Sequence, residues 1–147
     1  MADADNERFM RTKILLGDEG MARLKKARVM IIGLGAVGGY ALEALARAGI
    51  GELILVDFDS FDVSNINRQI LALESTIGMK KIEAAKLRTA EINPACKVRL
   101  LDMFVNAETL PALLAEKPDF VIDAIDALNP KCCLIEALYQ AQIPFIS

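Results

Sequence analysis

One hundred and forty-seven residues amount to a single domain's length of chain. A hydrophobic share of 54% with a mean hydropathy of +0.34 excludes intrinsic disorder, and nine glycines with five prolines exclude a low-complexity or collagen-like chain. The formal charge of −3 gives no global field to recruit nucleic acid or an anionic membrane, so any nucleic-acid contact must come from a local patch.

The lead MADADNERF is polar, with no signal-peptide pattern. Residues 8–16 and 17–26 read as short helices, giving an N-terminal helical segment over 1–26. ARVMIIG (27–33) reads as a buried strand and opens an α/β domain over 27–147. Residues 36–48 place Val37, Ala41, Ala44 and Ala48 at helical spacing, and Gly49 closes that helix. ELILVD (52–57) is a second strand, followed by a polar stretch over 59–68 and a helix over 78–92 that Asn93 and Pro94 end. A strand over 97–103, a helix over 107–116, a strand over 120–123 and a helix over 128–142 follow, and 144–147 begins another strand. Such alternation implies βαβ units: a Rossmann-like, doubly wound α/β fold with a mainly parallel sheet and helices on both faces. The chain ends inside an apolar run, so a truncation at the C-terminal end of a longer protein is expected.

Histidine is absent, which removes histidine triads, bases and metal ligands. Cys96, Cys132 and Cys133 form no CxxC pair and read as reduced intracellular thiols, with Cys132 and Cys133 expected in the core behind a helix start. The longest nearly apolar run, 29–42, contains four glycines and is well short of the ~20 residues of a membrane span. A soluble, cytoplasmic protein without a membrane partner is expected.

Ligands of such sheets bind beyond the carboxyl ends of the strands, which directs attention to residues 33–38, 57–68 and 123–126. Gly33, Gly35 and Gly38 form a GxGxxG loop between strand and helix, suited to a phosphate or to no more than a tight turn. Asp57, 19 residues beyond Gly38, suits ribose hydroxyls, as in a nicotinamide-dependent oxidoreductase, or is a solvated strand-end acid. The long polar stretch ending in Arg68, with Lys81 thirteen residues on, departs from a dehydrogenase. Arg68 can bridge phosphate oxygens and Lys81 can add a point charge, although Lys80 and Lys81 alone also read as a solvated helix start. Asp123 and Asp126 suit Mg²⁺ coordination or helix capping.

GLGAVGG, LVDFD, SNINRQ, GMKK and VIDAID, in this order and spacing, resemble the ThiF/MoeB/HesA superfamily of ubiquitin-activating-enzyme-like proteins. RFMRTKILLG resembles its N-terminal segment, and the likeness runs over 8–147. The resemblance implies binding of ATP with Mg²⁺ and activation of a carboxylate at the α-phosphate. By position, Asp57 would hold the ribose, Arg68 and Lys81 the phosphates, and Asp126 the Mg²⁺, with Asp59 and Asn65 also in the nucleotide site. Arg11 would enter the neighbouring subunit's site, which implies a homodimer. Ala36 stands where the family usually has a further glycine. DAID with Lys131, SNINRQ and NPACKV is most similar to the branch that activates and cyclises threonylcarbamoyladenosine in tRNA. The alternative substrate is the C-terminal glycine of a ubiquitin-like sulfur-carrier protein. Members that pass a carboxylate on usually carry their catalytic cysteine and any CxxC zinc site beyond the position of Ser147. A nicotinamide oxidoreductase and a non-catalytic nucleotide-binding scaffold are the remaining readings.

Overall fold

A computed structural model of the chain describes residues 7–147, and the lead up to Asn6 lies outside them. Helix α1 (Met10–Lys26) kinks at Gly17, where φ of 68° divides it into the two short helices the sequence suggests. Phe9 and Met21 are buried and pack on the left-handed Gly49, where an added Cβ would lie 3.2 Å from each. The N-terminal segment is thereby anchored to the rest of the chain.

Strands β1 (Arg28–Ile32), β2 (Glu52–Val56), β3 (Lys97–Leu101), β4 (Phe120–Asp123) and β5 (Phe145–Ile146) form one parallel sheet in the order β3-β2-β1-β4-β5. Helices α2 (Ala36–Ala48), α3 (Lys81–Ile92), α4 (Leu110–Ala115) and α5 (Leu128–Gln140) make the connections. Because β1 and β2 are covered on both faces, they are apolar without interruption after their first residues, Arg28 and Glu52, and their side chains alternate between two cores. Val29, Ile31, Leu53 and Leu55 meet Leu42 of α2 and Ile82 and Ala85 of α3. Met30, Ile32, Ile54 and Val56 meet Leu113 of α4 and Leu134 and Leu138 of α5. The sheet is thus doubly wound, with its order reversing between β1 and β4.

Four local expectations change. Helix α2 buries Gly38, Gly39, Leu42, Glu43 and Ala46, whereas Val37 and Ala44 are exposed, so the apolar stripe in the sequence is not the packed face. Helix α3 begins at Lys81 rather than 78, because left-handed Gly78 (φ 81°) sits in a turn whose N–H donates to Phe61 O. Residues 107–109 belong to a turn around Asn106, whose Oδ1 accepts from Glu108 and Thr109 N–H before α4 starts. Cys132 and Cys133 are exposed and do not belong to the core. Helix α5 faces the sheet with Leu134 and Leu138, one turn apart, which turns both thiols away. No helix among the described residues is long and apolar enough to cross a membrane.

Candidate active site

A cleft of about 300 Å³ opens at the carboxyl ends of β1, β2 and β4, where the strand order reverses. Gly33 leaves β1 with φ of 91°, and its N–H donates to Val56 O of the neighbouring strand. Gly38 packs so closely on this turn that an added Cβ would stand 1.7 Å from Gly33 O. Gly35 has room for a side chain, the nearest atom to an added Cβ being Gln69 Nε2 in ordinary contact at 3.8 Å. No side chain caps the start of α2, so its free N–H groups and the positive end of its dipole are left for an anion. Ala36 lines the cleft beside Gly35.

Asp57 joins this loop to the end of β2. Its Oδ2 accepts from Leu34 N–H at 2.7 Å and its Oδ1 from Asp59 N–H at 2.9 Å. Asp59 in turn accepts from Lys81 Nζ at 2.9 Å, and that ion pair holds the Asp59 carboxyl below its ordinary range. The Lys81 side chain is 8% exposed and its ammonium lies 5.7 Å over the Phe61 ring. Lys80 points elsewhere, donating to Phe58 O at 2.6 Å and pairing with Asp102 at 3.1 Å. Of the two adjacent lysines, only Lys81 lines the cleft.

Arg68 lines the cleft from an exposed turn, where its Nη1 donates to Ser64 O and Asn67 Oδ1, both at 2.9 Å. Asn65 stays outside the wall. Its Oδ1 accepts from Asp62 N–H at 3.1 Å, while Asp62 accepts from Ser64 N–H at 2.9 Å, closing the short turn that presents Arg68. The two acids after β4 divide by burial. Asp123 has a fully buried side chain and accepts from Lys131 Nζ at 2.7 Å, Ser147 Oγ at 2.8 Å and Ile125 N–H at 3.0 Å. Asp126 is exposed on the cleft and has no hydrogen-bond or ion-pair partner among the described residues. Arg11 is exposed on α1 and does not line this cleft.

The cleft therefore gathers the glycine loop, Asp57, Asp59, Arg68, Lys81 and Asp126. It also includes Gln69, which sequence reasoning had not singled out as a site residue. Gln69 is 7% exposed, and its Oε1 has no partner among the described residues. Its signal was its place as the last residue of SNINRQ. Phe58 and Phe104, edge to face with centroids 5.1 Å apart, add an aromatic wall. Both are half exposed, a pattern that apolar periodicity does not reveal.

Residues 8–147 match the ThiF family. A tRNA threonylcarbamoyladenosine dehydratase of Bacillus subtilis is 43% identical over 139 residues, covering 95% of this chain and 55% of that protein. A molybdopterin-synthase adenylyltransferase of Salmonella typhimurium is 36% identical over 149 residues, covering all of this chain and 59% of its own length. The solved structure of the Escherichia coli tRNA N6-threonylcarbamoyladenosine dehydratase in complex with ATP superposes with a TM-score of 0.95 at 39% identity, covering 97% of this chain and 59% of that one. The chain spans a little over half the length of these relatives. With the match extending over all but its first seven residues, the chain belongs to the ThiF family.

Proposed function

We propose that the chain is the nucleotide-binding part of an ATP-dependent enzyme that activates the carboxylate of threonylcarbamoyladenosine in tRNA. The observation that carries this reading is the meeting of an uncapped helix start, Arg68 and Lys81 in one cleft with Asp57 and the unpartnered Asp126. A triphosphate uses all of these groups, whereas a nicotinamide dinucleotide has no need of the two cations. Asp57 lies where ribose hydroxyls reach a strand end, and Phe58, Met103 and Phe104 offer an apolar wall for a base.

In the reaction, a carboxylate oxygen attacks the α-phosphorus, the bond to the bridging oxygen breaks, and pyrophosphate leaves with the electron pair. An internal nucleophile of the modified base then attacks the acyl carbon and expels AMP, closing the ring. Lys81 and Arg68 offset the charge growing on the departing phosphates, and the α2 N–H groups orient the chain of phosphates. Asp126 fits Mg²⁺, being a free hard-oxygen ligand in the cleft that Arg68 and Lys81 also line, and one protein carboxylate would suffice where phosphates and water complete the shell. Bound there, Mg²⁺ neutralises phosphate charge.

The dehydratase relatives and the motifs shared with that branch support the reading of a tRNA substrate and, with it, a cytoplasmic location. The adenylyltransferase relative supports a second reading, activation of the C-terminal glycine of a sulfur-carrier protein or contact with a sulfur-transfer partner. We assign the exposed Arg11 to the neighbouring copy's cleft in a homodimer, where two-fold symmetry lets each chain complete the other.

Calorimetric titration with Mg-ATP and with NAD tests the nucleotide, ATP binding more tightly. Release of pyrophosphate, followed by AMP, by the full-length protein with tRNA bearing the modified base, and no pyrophosphate release with a glycine-ended carrier protein, is the expected substrate result. Tighter NAD binding overturns the reading, and pyrophosphate release with the carrier alone selects the second one.

A further inference from the structure

Helices α2 and α3 pack side by side on one face of the sheet. Helix α2 starts at the glycine loop and α3 starts at Lys81, so each carries a phosphate-facing group at its N-terminus. Between them lies an ion cluster that the proposed reaction does not use. Glu43 of α2 is 8% exposed and takes a two-pronged contact from Arg88 of α3, through Nε at 2.9 Å and through Nη2. Arg47 of α2 adds Nη2 at 2.8 Å, and Glu91 of α3 stands 3.9 Å from Arg88.

Burying a carboxylate is costly, and an apolar residue would usually pack a helix pair at least as well. What a fork-to-carboxylate contact adds is direction, because two parallel bonds fix both distance and angle. Glu43 lies seven residues into α2 from Ala36, and Arg88 seven residues into α3 from Lys81. Seven residues are two turns, about 10 Å, so the cross-link sits at equal depth behind both phosphate-facing groups, and Arg88 shares a helix face with Lys81. Lys81 has little freedom of its own, being buried between Asp59 and the Phe61 ring. Movement of α3 therefore moves the ammonium.

We infer that Glu43 and Arg88 are positioning residues, whose ion pair sets the spacing between the glycine loop and Lys81 and so tunes the site for the phosphate chain of ATP. This rests on the ATP-activating reading. Adenosine, which engages the Asp57 end of the cleft, is indifferent to that spacing.

The test compares full-length wild type, Glu43→Gln, Arg88→Lys and the double variant by titration with Mg-ATP and with adenosine, well below their melting temperatures. Each single variant is expected to bind ATP about ten-fold more weakly, since misplacement by about 1 Å weakens an oriented contact strongly. Adenosine affinity stays within two-fold of wild type, and the double variant is no worse than the weaker single one. Variants that melt earlier yet bind ATP as wild type does overturn the positioning role alone. Equal loss of ATP and adenosine binding also overturns it, as general damage. A wild type that binds adenosine but gains nothing from the triphosphate overturns the ATP reading itself, and the positioning role with it. Arg88→Lys keeps the charge and loses only the fork, so it remains informative if Glu43→Gln fails to fold.

Discussion

The loop between β1 and α2 and the loop between β2 and α3 wall the same cleft, yet they are held by different kinds of contact. The first is shaped by main chain: Gly33 needs a left-handed conformation, and Gly38 leaves no space for a single carbon. The second is shaped by side chains that bond within the loop or just beside it, Asn65 with Asp62, Arg68 with Ser64 and Asn67, and Lys81 with Asp59. The exposed contacts of Arg68 are worth about 0–1 kcal/mol each, so an incoming phosphate can replace them at small cost, whereas the buried Lys81 ammonium keeps its place beside Asp59. One wall supplies a fixed shape and the other supplies exchangeable charge.

The sharpest way to break this comparison is to add one methyl group to each of two glycines. Gly38→Ala drives Cβ into the Gly33 carbonyl and is expected to cost about 3 kcal/mol or more of stability. Gly35→Ala meets nothing closer than 3.8 Å and should melt close to wild type while binding ATP more weakly, its methyl standing in the cleft. Thermal unfolding with calorimetry separates the two outcomes, and equal melting of both variants would contradict the main-chain account of the first loop.

In the second loop, Arg68→Ala should weaken ATP binding by about 1.5–3 kcal/mol, the worth of a charged hydrogen-bonded contact. Its stability should remain within about 0.5 kcal/mol, because the exposed guanidinium bonds only to its own turn. Loss of stability without loss of affinity would make Arg68 a structural residue.

The end of β4 contains both kinds of contact three residues apart. Asp123→Asn removes the charge facing Lys131 and should cost about 1–3 kcal/mol of stability. Asp126→Asn should melt like wild type and lose Mg²⁺-dependent turnover in the full-length protein. The reverse pattern in melting and AMP-release assays would exchange the two roles.

The smallest effect lies in acid. Asp59 and Asp62 are held below the ordinary value of 3.8, the first chiefly by its bond from Lys81 and the second by Ser64 N–H. A lowered carboxyl pKa adds stability that is present above the unfolded value and is lost as pH falls through the folded one. The protection of Ser60 and Ser64 N–H, the donors to these acids, against hydrogen exchange, taken relative to the unprotected rate at each pH, should therefore fall below about pH 3.8. Asp59→Asn should remove the pH step at Ser60 and leave that at Ser64.

Much of the fold was legible because burial on both faces leaves a plain mark. The uninterrupted apolar runs at 29–32 and 53–56 identify buried parallel strands, and the helices between them leave few arrangements. The glycine loop was legible for a similar reason, since a backbone requirement selects one residue type. Lys80 and Lys81 were not separable in this way: both are charged and adjacent, and the α3 start aims one at Asp102 and the other at Asp59. Gln69 was equally hidden, because a polar residue in a polar run shows no sign of being buried.

By itself the sequence determined the kinds and order of elements, the glycines of the GxGxxG turn and the family, since these depend on local backbone demands and on motifs in fixed order. Only the tertiary structure decided the strand order, the burial of Asp123 beside the exposed Asp126, the outward turn of Cys132 and Cys133, and the seating of Glu43 against Arg88. The reason is geometric. Where a side chain points depends on which face of its helix or turn meets the sheet, and that is settled by residues far away along the chain.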